Sequence, residues 1–184
     1  MVLVGKTTRL RPVRLSDTMM LYRWINNKRL NRFLGVEIPI SLVKERKKVR
    51  DMVTKIKYTK HFIIERKDTA EPIGMMSLHH IDIHNKKATT GAYIAYEKYW
   101  GKGYGSDAKM ALLKYAFLKL KLNRVVSHVF PHNPRSARYS LKCGYKKEGL
   151  LRQNLCKKGK FYDSIILAVL KQDWFKVAKK QGYI

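Results

Sequence analysis

Cysteine is scarce in this sequence, and no segment is both long and uncharged. The two cysteines, Cys143 and Cys156, form neither a disulfide framework nor a zinc-binding pattern, and isolated cysteines are typical of reducing compartments. No window is apolar and long enough to span a bilayer. The first residues, MVLVGKTTRLRP, lack the apolar stretch of a signal peptide. We therefore expect a cytoplasmic protein without a disulfide, a metal site or a membrane segment.

Acidic residues are also scarce, since 13 Asp and Glu stand against 40 Lys and Arg and give a formal net charge of +27. The basic residues are spread along the whole chain, which describes a basic globule and not a charged tail. Such a field favours polyanionic partners, for example RNA, a ribosome or a phosphorylated cofactor, and disfavours cationic substrates. A lysine-rich surface that serves only solvation explains the same composition equally well.

The apolar pattern predicts a single domain over residues 1–184. Hydrophobic residues make up 45% of the chain, and neither repeats nor linkers interrupt it. The predicted order is β-α-α-β-β-β-α-β-α-β-β, with Ser16 as the N-cap of the first helix and a second helix beginning after Ser41. This order predicts an α/β or α+β fold with a mixed sheet of about six to seven strands and helices on both faces.

A glycine loop, Tyr99–Asp107 (YWGKGYGSD), lies between a predicted strand and a long predicted helix. Glycines let the backbone approach a ligand closely, and free amides at a helix start suit a phosphate. The G-x-G-x-G spacing does not match the dinucleotide fingerprint G-x-G-x-x-G. The GKTT run near the N-terminus is not a P-loop, because its partner glycine would have to precede Met1. Taken alone, a glycine cluster of this kind more often serves only a turn.

Four segments in order resemble the GCN5-related N-acetyltransferases (GNAT), most closely their RimJ/RimL-like branch. They are RLRPVRLSDTMMLYRWINN, EKYWGKGYGSDAKMALLKYAFLKLKLNRV, NPRSARYSLKCGYKKEGLLR and KGKFYDSIILAVLKQDW. The family signature Q/R-x-x-G-x-G/A maps onto Trp100–Gly105, and only Trp100 departs from it. The resemblance implies the GNAT fold, in which two splayed strands form the acetyl-CoA cleft, and direct transfer of an acetyl group to a primary amine.

The resemblance also implies which residues bind acetyl-CoA. They are Ile94, Ala95, Tyr96, Lys102, Gly103, Tyr104, Gly105, Ser106 and Asn133. The first three would pair through their backbone with the pantetheine arm, and an amide there would polarise the thioester carbonyl. The loop residues would bind the pyrophosphate through their amides, and the asparagine matches one that contacts the cofactor in the family.

The family's usual proton carriers are missing from their positions. Thr89 and Leu155 stand where relatives carry a glutamate, and Ser140 stands where many carry a tyrosine, four residues before a glycine. Ser140 or Ser136 would then hydrogen-bond the leaving sulfur. Tyr139 lies one residue away, about 100° around the helix, and is interpreted as packing.

Histidines are the remaining candidates for the proton acceptor. His79, His80 and His84 lie on the strand and turn that lead to the predicted cofactor strand, and imidazole titrates in a suitable range. His80 and His84 share one face in an extended strand, with His79 opposite. Of the three we retain His80, although ordinary surface histidines with a water-relayed proton transfer fit the sequence as well.

The predicted acceptor is a protein N-terminal α-amine of the ribosomal-protein type. A small amine such as a polyamine or an aminoglycoside is the alternative within the same chemistry, but polycation sites need clustered carboxylates, and those of this chain are scattered among lysines. A basic RNA- or ribosome-binding module that keeps the fold without catalysis is the alternative of another class. Weak nucleic-acid association fits the basic surface, and the sequence favours neither a monomer nor a homodimer.

Overall fold

The computed structural model describes all 184 residues. The strands are β1 Leu3–Val4, β2 Thr8–Pro12, β3 Lys60–Arg66, β4 Pro72–Asp82, β5 Lys87–Ile94, β6 Arg124–Val129, β7 Lys146–Lys157 and β8 Lys160–Leu170. The helices are α1 Thr18–Ile25, α2 Lys28–Asn31, α3 Leu42–Thr54, α4 Tyr104–Lys114, α5 Pro134–Lys142 and α6 Lys171–Lys180; a wider turn, Tyr115–Lys119, extends α4. No helix among them combines the length and the apolar character needed to cross a bilayer.

The eight strands form one mixed sheet in the order β1-β2-β3-β4-β5-β6-β8-β7. Every neighbouring pair is antiparallel except β5 and β6. The predicted α+β fold is confirmed, with one strand more than the upper estimate, because the two-residue strand β1 pairs with β2.

Helices cover both faces of the sheet, as predicted, and β3 shows why. Its apolar run is continuous, and alternate residues face opposite sides. Ile63 is buried in the core under α1 and α3, whereas Phe62 and Ile64 are buried in the larger core under α4 and α6. A strand between two helical layers therefore reads as an unbroken hydrophobic segment.

The two central strands separate partway along their length. The parallel pairing of β5 with β6 runs from Lys87 opposite Arg124 to Thr90 opposite Ser127 and ends there. Beyond that point β5 remains paired with β4 as far as Ile94, and β6 remains paired with β8. The sheet therefore splays beyond Thr90, at the end of β5 that leads to the glycine loop.

Three local features differ from the sequence predictions. Ser16 is not the N-cap of α1, which begins at Thr18 after a single turn; there Asp17 accepts the Arg14 N–H at 2.8 Å and pairs with Arg11. The short helix α2 and the C-terminal helix α6 were not predicted. The second predicted helix is confirmed as α3, whose first turn is capped by the Ser41 hydroxyl.

Candidate active site

The glycine loop crosses from β5 to α4 at the open end of the splay. Gly101 and Gly103 have φ angles of +77° and +89°, a left-handed region that side chains avoid. A Cβ atom on either residue would meet no protein atom within 4 Å. Gly103 is the N-cap of α4 and lacks a side-chain cap, so the first amides of α4 face open space.

A cavity of about 350 Å³ lies between this loop, β5 and α5. Of the residues predicted to bind the cofactor, five line it: Ile94, Gly103, Gly105, Ser106 and Asn133. The other four, Ala95, Tyr96, Lys102 and Tyr104, do not. The Asn133 side chain also accepts the Ser136 N–H at 3.2 Å, so it caps α5 as well as facing the cavity.

The free edge of β5 begins earlier than the sequence predicted. Ala95 donates its N–H to the Ile73 carbonyl at 2.8 Å, on the side of β4. Since peptide groups alternate along a strand, those of Ala92 and Ile94 are directed to the opposite, open side. The Ala95 backbone therefore points away from the splay, which does not fit its predicted pairing with the pantetheine arm, whereas the backbone of Ala92 faces the splay.

Trp100 closes the end of this edge. Its indole Nε1 donates to the Ile94 carbonyl at 2.8 Å, which satisfies a carbonyl that β6 no longer reaches. The Arg135 guanidinium lies 4.3 Å from the Trp100 ring centroid, and the Phe33 ring contacts the indole edge-on. The residue that departs from the family signature thus holds the loop against β5.

Three cations of α5 face the glycine loop across the cavity. Arg135, Arg138 and Lys142 all line it, and no Asp or Glu does. Their spacing of three and four residues puts them on one face of the helix. Sequence reasoning missed this set, although the spacing was visible. Amides at a helix start opposed by three cations fit a ligand that carries several phosphates.

The two serine candidates lie in different environments. Ser136 lines the cavity, but Ser140 is fully buried and contacts the Lys109 Nζ at 3.3 Å. Tyr139 lines the cavity instead, and its ring lies 3.9 Å from where a Cβ on Gly105 would be. The predicted role of Ser140 does not fit this burial: Tyr139 faces the cavity, whereas Ser140, one residue and about 100° further around α5, faces the protein interior.

A buried lysine of α4 packs against the Tyr139 ring. Lys109 is fully buried, and its Nζ lies 4.6 Å from the Tyr139 ring centroid and 4.7 Å from that of Tyr145. Burial raises the pKa of Tyr145 to about 12, and that of Cys143 to about 12 as well. Both groups therefore stay neutral, and the ring faces stabilise the ammonium ion by cation–π contact.

The predicted histidines are not brought together at the cavity. His80 is exposed at a bulge between β4 and β5, with a φ of +49°. It lines neither this cavity nor a larger one on the other side of α2. His79 instead lies beside Gly91, just beyond the end of the parallel pairing, with its Nε2 atom 2.6 Å from the Ser77 hydroxyl. Burial lowers the pKa of His79 and holds it neutral. The bulge changes the alternation from which the shared face was predicted.

A second, larger cavity of about 840 Å³ lies on the other side of α2, between that helix and the β7–β8 hairpin. We call it the basic groove. Its residues are Tyr22, Asn26, Lys28, Asn31, Arg32, Ile38, Pro39, Phe130, His132, Lys157, Lys158, Lys160 and Tyr162. It too contains no Asp or Glu.

Comparison with known proteins shows the family. The model of the acetyltransferase (GNAT) domain matches residues 8–146. The chain belongs to the GNAT acetyltransferase family, and it is an acetyl-CoA-dependent N-acetyltransferase. The resemblance inferred from the four sequence segments is confirmed.

Two sequence relatives and one solved structure illustrate the similarity. The chain is 29% identical over 168 residues to the uncharacterised N-acetyltransferase p20 of Bacillus licheniformis, which covers 90% of this chain and 93% of that protein. It is 27% identical over 107 residues to the ribosomal protein uS5 alanine N-acetyltransferase of Escherichia coli, covering 58% and 55%. Spermidine N-acetyltransferase of Vibrio cholerae, solved with CoA and spermine, matches with a TM-score of 0.83 and 20% identity over 93% and 99% of the two chains, which shows the shared fold.

Proposed function

We propose that this enzyme acetylates the α-amine of a protein N-terminus, of the ribosomal-protein type. The observation that carries the proposal is the absence of Asp and Glu from the lining of both cavities. A polyamine carries several positive charges, and binding it requires carboxylates that desolvate and pair with them. A protein N-terminus brings one amine, which reacts in its neutral form, on a backbone that needs no such counter-charge.

The cavity beside the glycine loop is the proposed acetyl-CoA site. The amides of Gly103 and Gly105 and the cations of α5 would hold the phosphates, and the open edge of β5, at Ala92 and at the Ile94 N–H, would pair with the pantetheine arm. When bound, acetyl-CoA supplies the thioester that the amine attacks. Lys102, Tyr104 and Tyr96 do not line the cavity, so the proposal gives their side chains no role in it.

Tyr139 is the proposed proton donor to the leaving sulfur. Its side chain lines the cavity on the same face of α5 as Ser136, and the Lys109 ammonium lies against its ring. That cation is not within reach of the cavity itself, so it acts by holding the ring in place and by favouring negative charge nearby. Ser136 is the second hydroxyl on this face.

Replacing Tyr139 by Phe should lower kcat by about 100-fold and change the KM for acetyl-CoA little, because proton transfer to a leaving group typically contributes 10²–10⁴-fold while the ring still packs. Ser136→Ala is the matched variant, and we expect less than a fivefold change there. Steady-state thiol release at several pH values measures both. A larger loss in Ser136→Ala than in Tyr139→Phe would transfer the role to the serine.

The proposed function is tested by thiol release with two sets of acceptors. N-terminal peptides with a free α-amine should be acetylated, whereas spermidine and aminoglycosides should react at least about tenfold more slowly in kcat/KM, because each unpaired charge in a basic site costs more than 1.4 kcal/mol. Mass spectrometry of the peptides should place the acetyl group on the α-amine and not on a lysine side chain. Faster reaction of a polyamine would overturn the proposal.

Cofactor binding is checked separately by thermal unfolding. At a concentration of acetyl-CoA 100-fold above its Kd, the free energy of unfolding should rise by about 2.7 kcal/mol, which shifts the Tm of a protein of this size by about 5–10 °C. A normal shift without turnover of any amine would indicate a cofactor-binding module and not an enzyme. Absence of any shift would contradict the assignment of the cavity.

A further inference from the structure

The basic groove contains five cations that have no carboxylate partner. They are Lys28, Arg32, Lys157, Lys158 and Lys160, and none of them takes part in any of the eleven ion pairs of the structure. Like charges that converge on one concave surface repel one another, and low-dielectric walls concentrate their field. The groove therefore has a built-in preference for an anionic occupant.

Lys157 is the member of this set whose ammonium group is held in place. Its Nζ atom donates to the carbonyls of Asn31 and Leu34, at 2.6 Å each, so the β7–β8 hairpin is tied to the α2 wall of the groove. Desolvation and the neighbouring Lys158 lower the pKa of Lys157. Glu37 is nearby but accepts the backbone N–H of Lys158 at 2.6 Å and does not line the groove.

The groove and the acetyl-CoA cavity share two walls. Along α2 and the turn after it, Leu30 and Phe33 line the cavity, whereas Lys28 and Arg32 line the groove. At the start of α5, Asn133 faces the cavity, and His132, directly before it, faces the groove. The groove is therefore directly adjacent to the acetyl-CoA cavity, with only these two elements between them.

Aromatic side chains form the floor of the groove. The Phe130 and His132 rings stack with centroids 5.0 Å apart, and Tyr162 contacts both rings at 6.0 and 5.7 Å. His132 also lies 3.3 Å from the Arg32 carbonyl, which connects the floor to the α2 wall. An apolar floor under cationic walls suits a peptide that combines a hydrophobic or backbone contact with acidic side chains.

We propose that the basic groove binds an acidic segment that follows the acceptor's N-terminal residue. This inference rests on the proposed function and names the class of its acceptor. The reacting group is an amine, and a protein segment supplies both the amine and the negative charges on one chain. An RNA ligand could match the charges and stack on the rings, but it supplies no amine to the acetyl-CoA site, which makes the peptide the better fit.

The test compares three peptides that share one N-terminal residue and differ at positions 2–6, which are Asp/Glu, Asn/Gln or Lys. The wild type should acetylate the acidic peptide with a KM about tenfold lower than that of its amide counterpart, and the lysine peptide worst. Binding of the same fluorescein-labelled peptides in the presence of CoA, measured by anisotropy, should show the same order. Raising NaCl from 50 to 500 mM should remove most of the difference.

Charge-reversal variants connect the preference to the groove. Lys28→Glu combined with Lys160→Glu changes opposite walls at exposed, unpaired positions and should invert the preference for the acidic peptide. Lys176→Glu combined with Lys179→Glu changes net charge equally on α6, away from both cavities, and should leave it intact. The acetyl-CoA thermal shift should be the same in all three proteins.

Equal KM values and equal anisotropy for acidic and amide peptides would overturn the inference and leave the proposed function standing. Equal effects of the groove pair and the α6 pair would do so too, since net charge alone would then explain the preference. An oligoribonucleotide that binds through the groove while peptide acidity has no effect would assign the groove to RNA. If no peptide is acetylated at all, the proposed function fails, and the anisotropy measurement still decides what the groove binds.

Discussion

A Gly105→Asp variant should remain folded and lose acetyl-CoA binding by at least about 100-fold. Gly105 is in the first turn of α4, where an acidic side chain is favourable for the helix. A Cβ atom at this position would point towards Tyr139 and Ile94, at 3.9 and 4.0 Å, so the carboxylate would project into the cavity. A negative charge near a phosphate costs about 4 kcal/mol at 4 Å and an effective dielectric constant of 20.

Two further variants at this position separate the effect of the added charge from that of the added volume. Gly105→Ala adds only a methyl group at ordinary contact distance and should bind acetyl-CoA within about fivefold of the wild type, with a slightly more stable helix. Gly105→Asn has the shape of Asp without its charge and should fall between the two. Calorimetric titration with acetyl-CoA gives the Kd values, and circular dichroism checks the fold. Tight binding by Gly105→Asp would show that the phosphates lie elsewhere.

The fold could be predicted because its determinants are local. The unbroken apolar run Phe62–Ile64 is typical of a strand covered on both sides, and the glycines after β5 indicated a loop that leaves amides free. The missed helix α6 also had a local signal, since Trp174, Val177 and Ala178 repeat at helical spacing. It was overlooked because the strand before it runs into the helix without a turn residue.

The catalytic residues were harder to predict because they depend on helix rotation. Counting back from Gly144 selected Ser140, yet the rotation of α5 is fixed by burial of that serine against Lys109, which itself comes from α4. The spacing of residues within α5 carries no information about a buried lysine that α4 contributes. The same holds for His80, where a bulge in β4 interrupts the alternation on which the prediction depended.

The N-terminal GKTT run shows a related limit of prediction from the sequence. It was rejected as a P-loop, and it does bind an anion, but that anion is the Asp107 carboxylate of the same chain. The backbone amides of Lys6, Thr7 and Thr8 donate to it at 2.8, 3.0 and 2.8 Å. A Cβ on Gly5 would lie 2.3 Å from the carboxylate, so only glycine fits there. The contact spans 100 residues and has no signature in either segment alone.

Asp107→Asn should destabilise the protein by about 3–5 kcal/mol and lower its Tm by about 10 °C. Besides the three amides, the buried carboxylate accepts the hydroxyls of Thr8, at 2.6 Å, and Tyr183. It thus joins α4 to both ends of the chain. An amide keeps the size but presents N–H groups to donors, which leaves buried groups unsatisfied. Asp51→Asn, in an exposed pair with Lys55 on α3, should cost less than about 1 kcal/mol.

The pH dependence of unfolding tests whether the charge of the Asp107 carboxylate is responsible for this stabilisation. Burial acts to raise the pKa of Asp107, but the hydrogen bonds from Thr8, Tyr183 and the backbone outweigh it and hold the pKa below its ordinary value of 3.8. Its stabilisation is therefore complete above the unfolded pKa of about 3.9 and is lost as the pH falls through the lower folded pKa. The difference in free energy of unfolding between wild type and Asp107→Asn, measured in urea, should be constant from pH 7 to pH 5 and shrink below pH 4. A difference that stays constant down to pH 2 would mean that the variant acts through packing and not through charge.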